Sequence, residues 1–274
     1  MKKILVPVDF STPSEYAAKT AAKIAKKLNS EVHLLHMIEL PKGIIDMGAG
    51  SNFSIPESMI YVQKVRDKLL DFKQEFFSEK TVVKHAIRFQ RPYQGILDYG
   101  KKIKVDLIVM GSRGHSEFEE MLIGSNTEKV VRSSKTPVLV VKREDKFKTK
   151  NFVFASSFKS NKKAAFEKFL VFANFFDVKI HLLKVNTPHK FENTHSSIEK
   201  IKEFIKDYDL PKYTIDVYND SSVERGILNF SKDVDADLIA LRTHGRSGLS
   251  HIFNGSITKH VSKKAQKPML TINV

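Results

Sequence analysis

One stretch of this chain occurs twice. Gly95-Ile96-Leu97 returns 131 residues later as Gly226-Ile227-Leu228, and Asp106-Leu107-Ile108 returns as Asp237-Leu238-Ile239. In the same register Gly114 matches Gly245, Ser116 matches Ser247, Gly124-Ser125 matches Gly255-Ser256, Thr127 matches Thr258 and Pro137 matches Pro268. A register that holds without a gap from position 95 to position 137 marks two copies of one unit. Any fold for the chain must therefore work at about half its 274 residues. The expected division is a first domain over 1–143, a polar, charged linker over 144–150, and a second domain over 151–274.

Within each copy, short β-branched runs alternate with amphipathic helical periods. The first copy predicts strands at Ile4–Val8, Val32–Ile38, Val82–Phe89, Val105–Met110 and Pro137–Val141. Helices fall between them, near Ser14–Leu28, Glu57–Ser78, Pro92–Lys102 and Asn126–Ser133. The second copy predicts strands at Phe152–Ala155, Lys179–Val185, Tyr213–Tyr218, Ala236–Leu241 and Met269–Ile272. Its helices are Phe166–Phe176, Ser197–Tyr208, Glu224–Lys232 and Ile257–Lys263. Alternation of this kind builds an α/β domain, a five-stranded parallel sheet flanked by helices. The copies differ mainly at Lys42–Pro56, a Gly-, Ser- and Met-rich segment that the second lacks. A segment of that length is either a mobile loop or a functional lid.

Composition excludes several classes. Without cysteine there is no disulfide scaffold, thiolate metal site or cysteine nucleophile. No window reaches the 18 consecutive apolar residues of a membrane-spanning helix, and Pro7 and Asp9 end the first apolar run too early for a signal peptide. A cytoplasmic protein with no membrane partner is expected. The net charge of +15 invites a nucleic-acid reading, but only nine of the 46 basic residues are Arg, and both halves share the excess. Lys in that proportion is the dress of solvated helix faces, which argues against nucleic acid as the partner.

In doubly wound sheets, ligands bind at the carboxyl ends of the strands. After the fourth strand comes Gly111-Ser112-Arg113-Gly114, then nine residues, then Gly124-Ser125 opening a helix. Glycines admit a close backbone approach, and a helix N-terminus favours an anion. Together they make a cradle suited to a polyphosphate. After the first strand, Asp9 offers an acceptor for a ribose hydroxyl or an adenine amino group.

The Gly-x2-Gly-x9-Gly-Ser pattern of residues 111–125 resembles that of nucleotide-binding members of the universal stress protein family, in its tandem form. The opening Ile-Leu-Val-Pro-Val-Asp, the Leu-Leu-His-Met-Ile of 34–38 and the Asp-Leu-Ile-Val-Met-Gly of 106–111 are similar to that family too. The resemblance implies flavodoxin-like, adenine nucleotide alpha hydrolase-like domains. It implies ATP in the first of them, with Mg2+ as an optional companion. Asp9 would meet the nucleoside, with Pro7 shaping the strand end and Met37 and Met110 lining the adenine and ribose pocket. Gly111, Arg113, Gly114, Gly124, Ser125, Asn126 and Thr127 would surround the phosphates. It implies a stress-response role with an unnamed protein partner. The last strands of the two copies would pair as an internal pseudo-dimer, with association of two chains left open.

The second copy departs from the pattern. Arg242 replaces Gly111, Ser157 replaces Asp9 and Ala155 replaces Pro7. A side chain at 242 would enter the space left for phosphate, so this copy is read as a non-binder. Arg242 would then hold a smaller anion or reach across to the other domain.

Structural readings stand beside these. Ser125-Asn126-Thr127-Glu128 also spells a capping box, in which Ser125 serves only its own helix. Gly114 and Gly124 can be explained by turn geometry, whereas Gly111 and Asp9 have no evident structural reason. His33, His36, His85 and His181 fall on strands without ligand spacing and read as core or surface residues; no metal site is expected. His115 and His244 lie in loops, where contact with solvent or ligand is the better reading. No P-loop, GxGxxG, GxSxG or HExxH motif is present, and no general base stands in the cradle. The expectation is a nucleotide-binding module rather than an enzyme, with slow hydrolysis or a nucleotide-free scaffold as alternatives.

Overall fold

A computed structural model describes residues 1–39, 55–112, 124–143 and 147–243, together with Thr258, Val261 and 264–274. The first half runs β1 (Lys3–Pro7), α1 (Thr12–Leu28), β2 (Glu31–Ile38), α2 (Ile55–Phe76), β3 (Val83–Phe89), α3 (Pro92–Ile103), β4 (Leu107–Gly111), α4 (Ser125–Ser133) and β5 (Val138–Val141). The second half runs β6 (Asn151–Ala155), α5 (Lys163–Ala173), β7 (Lys179–Asn186), α6 (Thr194–Ile205), β8 (Tyr213–Asn219), α7 (Val223–Asp233), β9 (Leu238–Thr243) and β10 (Met269–Asn273). The helix expected at 257–263 lies mostly outside the described residues, as does the Lys42–Pro56 segment up to the start of α2.

The strands form one sheet in the order β3-β2-β1-β4-β5-β10-β9-β6-β7-β8. Within each half every pairing is parallel, and each half is a five-stranded α/β domain as expected. The seam is antiparallel, with Met269 opposite Val140, Leu270 opposite Leu139 and Thr271 opposite Val138. This is the last-strand pairing that the family resemblance implied. It reverses strand direction at the seam, so the carboxyl ends of the two sets of strands lie at opposite edges of the sheet.

Strands buried on both faces must be apolar, and β4 and β5 are so throughout, as are the buried stretches Ile4–Val6 of β1 and Leu238–Leu241 of β9. One face carries a core that crosses the seam, from Ile4, Val6 and Val109 to Phe152, Phe154, Leu238 and Ile272, under α1, α2, α5 and α6. The other face holds two separate cores. Leu5, Leu35, Ile96, Met110 and Val130 pack under α3 and α4; Val153, Ile227 and Ile239 pack under α7, together with Val261 and Ala265.

The halves fill the shared face differently. α1 presents Ala17, Ala18, Ala21, Ile24 and Ala25, small side chains that bring helix and sheet close. α5 offers Ala165, Phe166, Phe169, Phe172 and Ala173 at the equivalent positions. Phe154 meets Phe166 and Phe169 with ring centroids 4.9 and 5.0 Å apart. Each such pair contributes about 0.5–1.5 kcal/mol beyond its buried area.

Three local expectations shift. α5 begins at Lys163, three residues before the expected 166, after a single 3-10 turn over Ser160–Lys162. α6 begins at Thr194 and not at Ser197, because the Asn193 side chain caps it, accepting from the Ser196 N–H at 2.8 Å. The linker is less polar than its composition suggests. Phe147 within it is 7% exposed and packs edge-on to Phe176 at 6.0 Å.

Candidate functional site

Strand order alone places a crevice at the carboxyl ends of β2, β1 and β4, because the chain moves outward from β1 to β2 and β3 before returning on the other side for β4. Pro7 closes β1 opposite Leu35, and the Val8 N–H donates to the Leu35 carbonyl at 2.9 Å. Asp9 follows, exposed. Its Oδ1 accepts from the Ser11 N–H at 3.1 Å and from the Ser11 hydroxyl, a turn that steers the chain into α1. The structure thus supplies the structural reason for Asp9 that the sequence did not reveal. Among the described residues the second carboxylate oxygen has no partner.

Gly111 is also explained by packing. A Cβ at this position would lie 2.2 Å from the Pro13 carbonyl oxygen and 2.3 Å from its carbon, a contact that backbone cannot yield. The glycine is required by the first turn of α1. Side chains alternate along a strand. Positions 107, 109 and 111 face α1, whereas Met110 faces α3 and α4.

The same alternation corrects the reading of Arg242. Leu238 and Ala240 belong to the core under α5, so Arg242 leaves the sheet on that face, toward Lys162. It does not enter the space between the strand end and the helix that follows. Nor can it reach the first half's site, which lies at the opposite edge of the sheet.

At the other wall of the crevice, Thr127 ties α4 to β4. It is 4% exposed, and its Oγ1 donates to the Gly111 carbonyl at 2.9 Å. Thr258 repeats this contact to the Arg242 carbonyl at 3.2 Å. Thr127 is therefore a positioning residue with no free hydroxyl facing outward.

Gly124 is the N-cap of α4, at φ −55° and ψ 139°. Any L-residue adopts that conformation, so turn geometry is not its reason. Ser125 is the first helical residue rather than the cap, which removes the capping-box reading. Ser125 is exposed and Asn126 half-buried, so the opening of α4 is accessible. Arg113, Gly114 and His115 lie outside the described residues, as do His244, Gly245, Gly255 and Ser256.

Met37 and Met110 lie on the α3 and α4 side of β2 and β4, Met110 at 5% exposure and Met37 half-buried. A Cβ on Gly95 of α3 would stand 2.1 Å from the Met37 methyl, so that glycine makes room for Met37. Gly226 stands in the same relation to Val185.

Two groups beyond the expected set complete the crevice. His36 stacks on Phe10 with centroids 4.9 Å apart, and its Nδ1–H donates to the Val8 carbonyl at 2.8 Å. Burial pushes its pKa below the ordinary imidazole value, which keeps the ring neutral. Phe10 itself sits at φ 62° in the left-handed region, held there by His36 and Phe72. Ser112, just past β4, is wholly buried, and its hydroxyl has no partner among the described residues. The signal for His36 was its place one residue past the Pro7–Leu35 pair, where it meets the Val8 carbonyl, a register that periodicity alone does not show. Ser112 lay inside the motif as an unassigned residue.

This geometry defines a class: a doubly wound α/β protein, used twice, whose first copy has a strand-end crevice with an acceptor at one wall and a helix N-terminus at the other. A profile of the universal stress protein family matches residues 1–142 and again 148–273, and the chain belongs to that family. Universal stress protein MJ0577 of Methanocaldococcus jannaschii is 35% identical over 156 residues, which are 53% of this chain and 96% of that protein. A universal stress protein of Synechocystis sp. is 22% identical over 293 residues, 99% of each chain. The crystal structure of a universal stress protein from Archaeoglobus fulgidus shares the fold at a TM-score of 0.77 and 19% identity, covering 99% of this chain and 98% of that one. No helix among the described residues is long and apolar enough to cross a membrane.

Proposed function

We propose that the first half binds ATP at the carboxyl ends of β1, β2 and β4, and that occupancy, not turnover, is its function in a stress response. The observation behind this reading is the second oxygen of Asp9, unpartnered among the described residues, across the crevice from the accessible start of α4, in a chain whose residues 111–125 satisfy the family's nucleotide-binding pattern. Asp9 accepts from the nucleoside. The N–H groups and dipole at Ser125 and Asn126 favour phosphate, and the buried Ser112 hydroxyl, unpaired among the described residues, calls for a polar partner. Hydrolysis is slow or absent, because Asp9, the carboxylate that the described residues place at the crevice, already steers α1 and belongs at the nucleoside end. The second half, with Ser157 in place of Asp9, holds no nucleotide.

Asp9→Asn tests this reading. Asparagine keeps an oxygen for the Ser11 turn but puts a donor where the free acceptor was. Calorimetry should show ATP binding in Mg2+ buffer weakened about tenfold or more, as expected for an unmatched polar contact. Unchanged affinity would refute the placement. Phosphate release that exceeds a protein-free control and falls with Asp9→Asn would instead establish slow hydrolysis.

A nucleotide-free scaffold remains the second reading, because Asp9, Gly111 and Thr127 each have structural work without a ligand. The absence of any binding at millimolar ATP would favour it.

A further inference from the structure

The second half does not simply lose a site. Its strand edge reverses the charge of the first. Around the exit of β1 and the end of β4 stand Asp9, Ser11, Ser14, Glu15 and Gly111; the equivalent positions in the second half are Ser157, Lys159, Lys162, Lys163 and Arg242. Two carboxylates have become four cations. Lys163 is accounted for, since it pairs with Asp207 at 2.9 Å. No ion pair is formed by Lys159, Lys162 or Arg242 among the described residues.

We propose that Arg242, Lys162 and Lys159 form a site for a small phosphate-class oxyanion at the start of α5, distinct from the nucleotide crevice and at the opposite edge of the sheet. Three observations converge. The Nε of Arg242 is buried and has no hydrogen-bond partner among the described residues. A buried guanidinium donor left unpaired is costly, and an oxyanion satisfies both its charge and its fork of N–H groups.

Second, the strand alternation that carries Gly111 onto Pro13 of α1 carries Arg242 onto the matching turn, Ser160–Lys162, at the start of α5. That helix begins without a side-chain cap and without an acidic residue in its first turn, whereas α6 and α7 are capped by Asn193 and Ser222. Its dipole is left for an anion from outside. Third, Lys162 is half-buried, and burial, Arg242 and Lys159 all push its pKa down, with no carboxylate acting against them. The cluster is held together against repulsion, and a bound anion removes that repulsion.

The test is a thermal melt of the full chain in inorganic phosphate against chloride at equal ionic strength. Saturating phosphate should raise the wild-type midpoint by about 2–4 °C. Arg242→Gln and Lys162→Gln should each abolish the shift, and Asp9→Asn should retain it. If Arg242→Gln folds poorly, Lys162→Gln decides alone. The proposal fails if phosphate produces no shift beyond chloride, or if the shift survives both substitutions. It fails equally if Asp9→Asn removes the shift, which would put the anion in the first half. A shift given by ATP but not by phosphate, and lost in Arg242→Gln, would make this a nucleotide site instead.

Discussion

Gly111 and Arg242 show how one backbone position can serve two ends. At 111 the chain needs a glycine because the Pro13 carbonyl of α1 stands where a Cβ would go. Gly111→Ala should therefore destabilise the protein by about 1–3 kcal/mol in urea denaturation, whether or not ATP is present. A variant as stable as wild type would show that α1 yields more readily than its packing implies.

His36 makes a second residue-level prediction. Burial lowers its pKa and that of His33. The unfolded chain then binds more protons than the folded one as pH falls through the ordinary imidazole value of 6.5, so stability present above that pH is lost below it. The urea midpoint should drop from about pH 7.5 to about pH 5.5, and His36→Gln should flatten the profile. Identical profiles for the two proteins would remove His36 from the account. The motif at 111–125 was legible because its spacing is unusual. The reasons for Asp9 and Gly111 were not, because each depends on where α1 begins in space, and periodicity carries no such information.

Helices and strands were legible wherever a hydrophobic period was long, as in α1, α2 and the central strands. Boundaries failed where a cap or a buried turn outweighed the period: Asn193 pulled α6 three residues earlier, and α5 ends at Ala173 although Phe175 and Phe176 continue the apolar run. The exchange of alanines for phenylalanines between α1 and α5 was visible in the sequence, but its effect depends on how closely each helix lies to the sheet. Phe169 is fully buried against Phe154 and Phe166, so Phe169→Ala should cost about 3–5 kcal/mol in denaturant unfolding. A loss below about 1 kcal/mol would mean that this core closes over the cavity, contrary to the packing described.

The whole molecule is one ten-stranded sheet with a shared core on one face and separate cores on the other. The repeat made two domains legible, and the pairing of β5 with β10 followed from the family's habit of joining last strands. What the sequence concealed was the consequence of that joint: an antiparallel seam turns the two strand-end sites to opposite edges, so neither can complete the other. Lys27 of α1 lies 4.8 Å above the ring of Phe176, a further contact across the halves.

The positive charge reads differently at this scale. Most of it is Lys spread over the surface, yet four cations stand together at the second half's strand edge where the first half has two acids. The central claim is that one half binds nucleotide and the other does not, and native mass spectrometry of the full chain with ATP and Mg2+ measures it directly. A single bound nucleotide per chain, lost in Asp9→Asn and kept in Arg242→Gln, is the predicted result. Two nucleotides per chain, or one that survives Asp9→Asn, would contradict it.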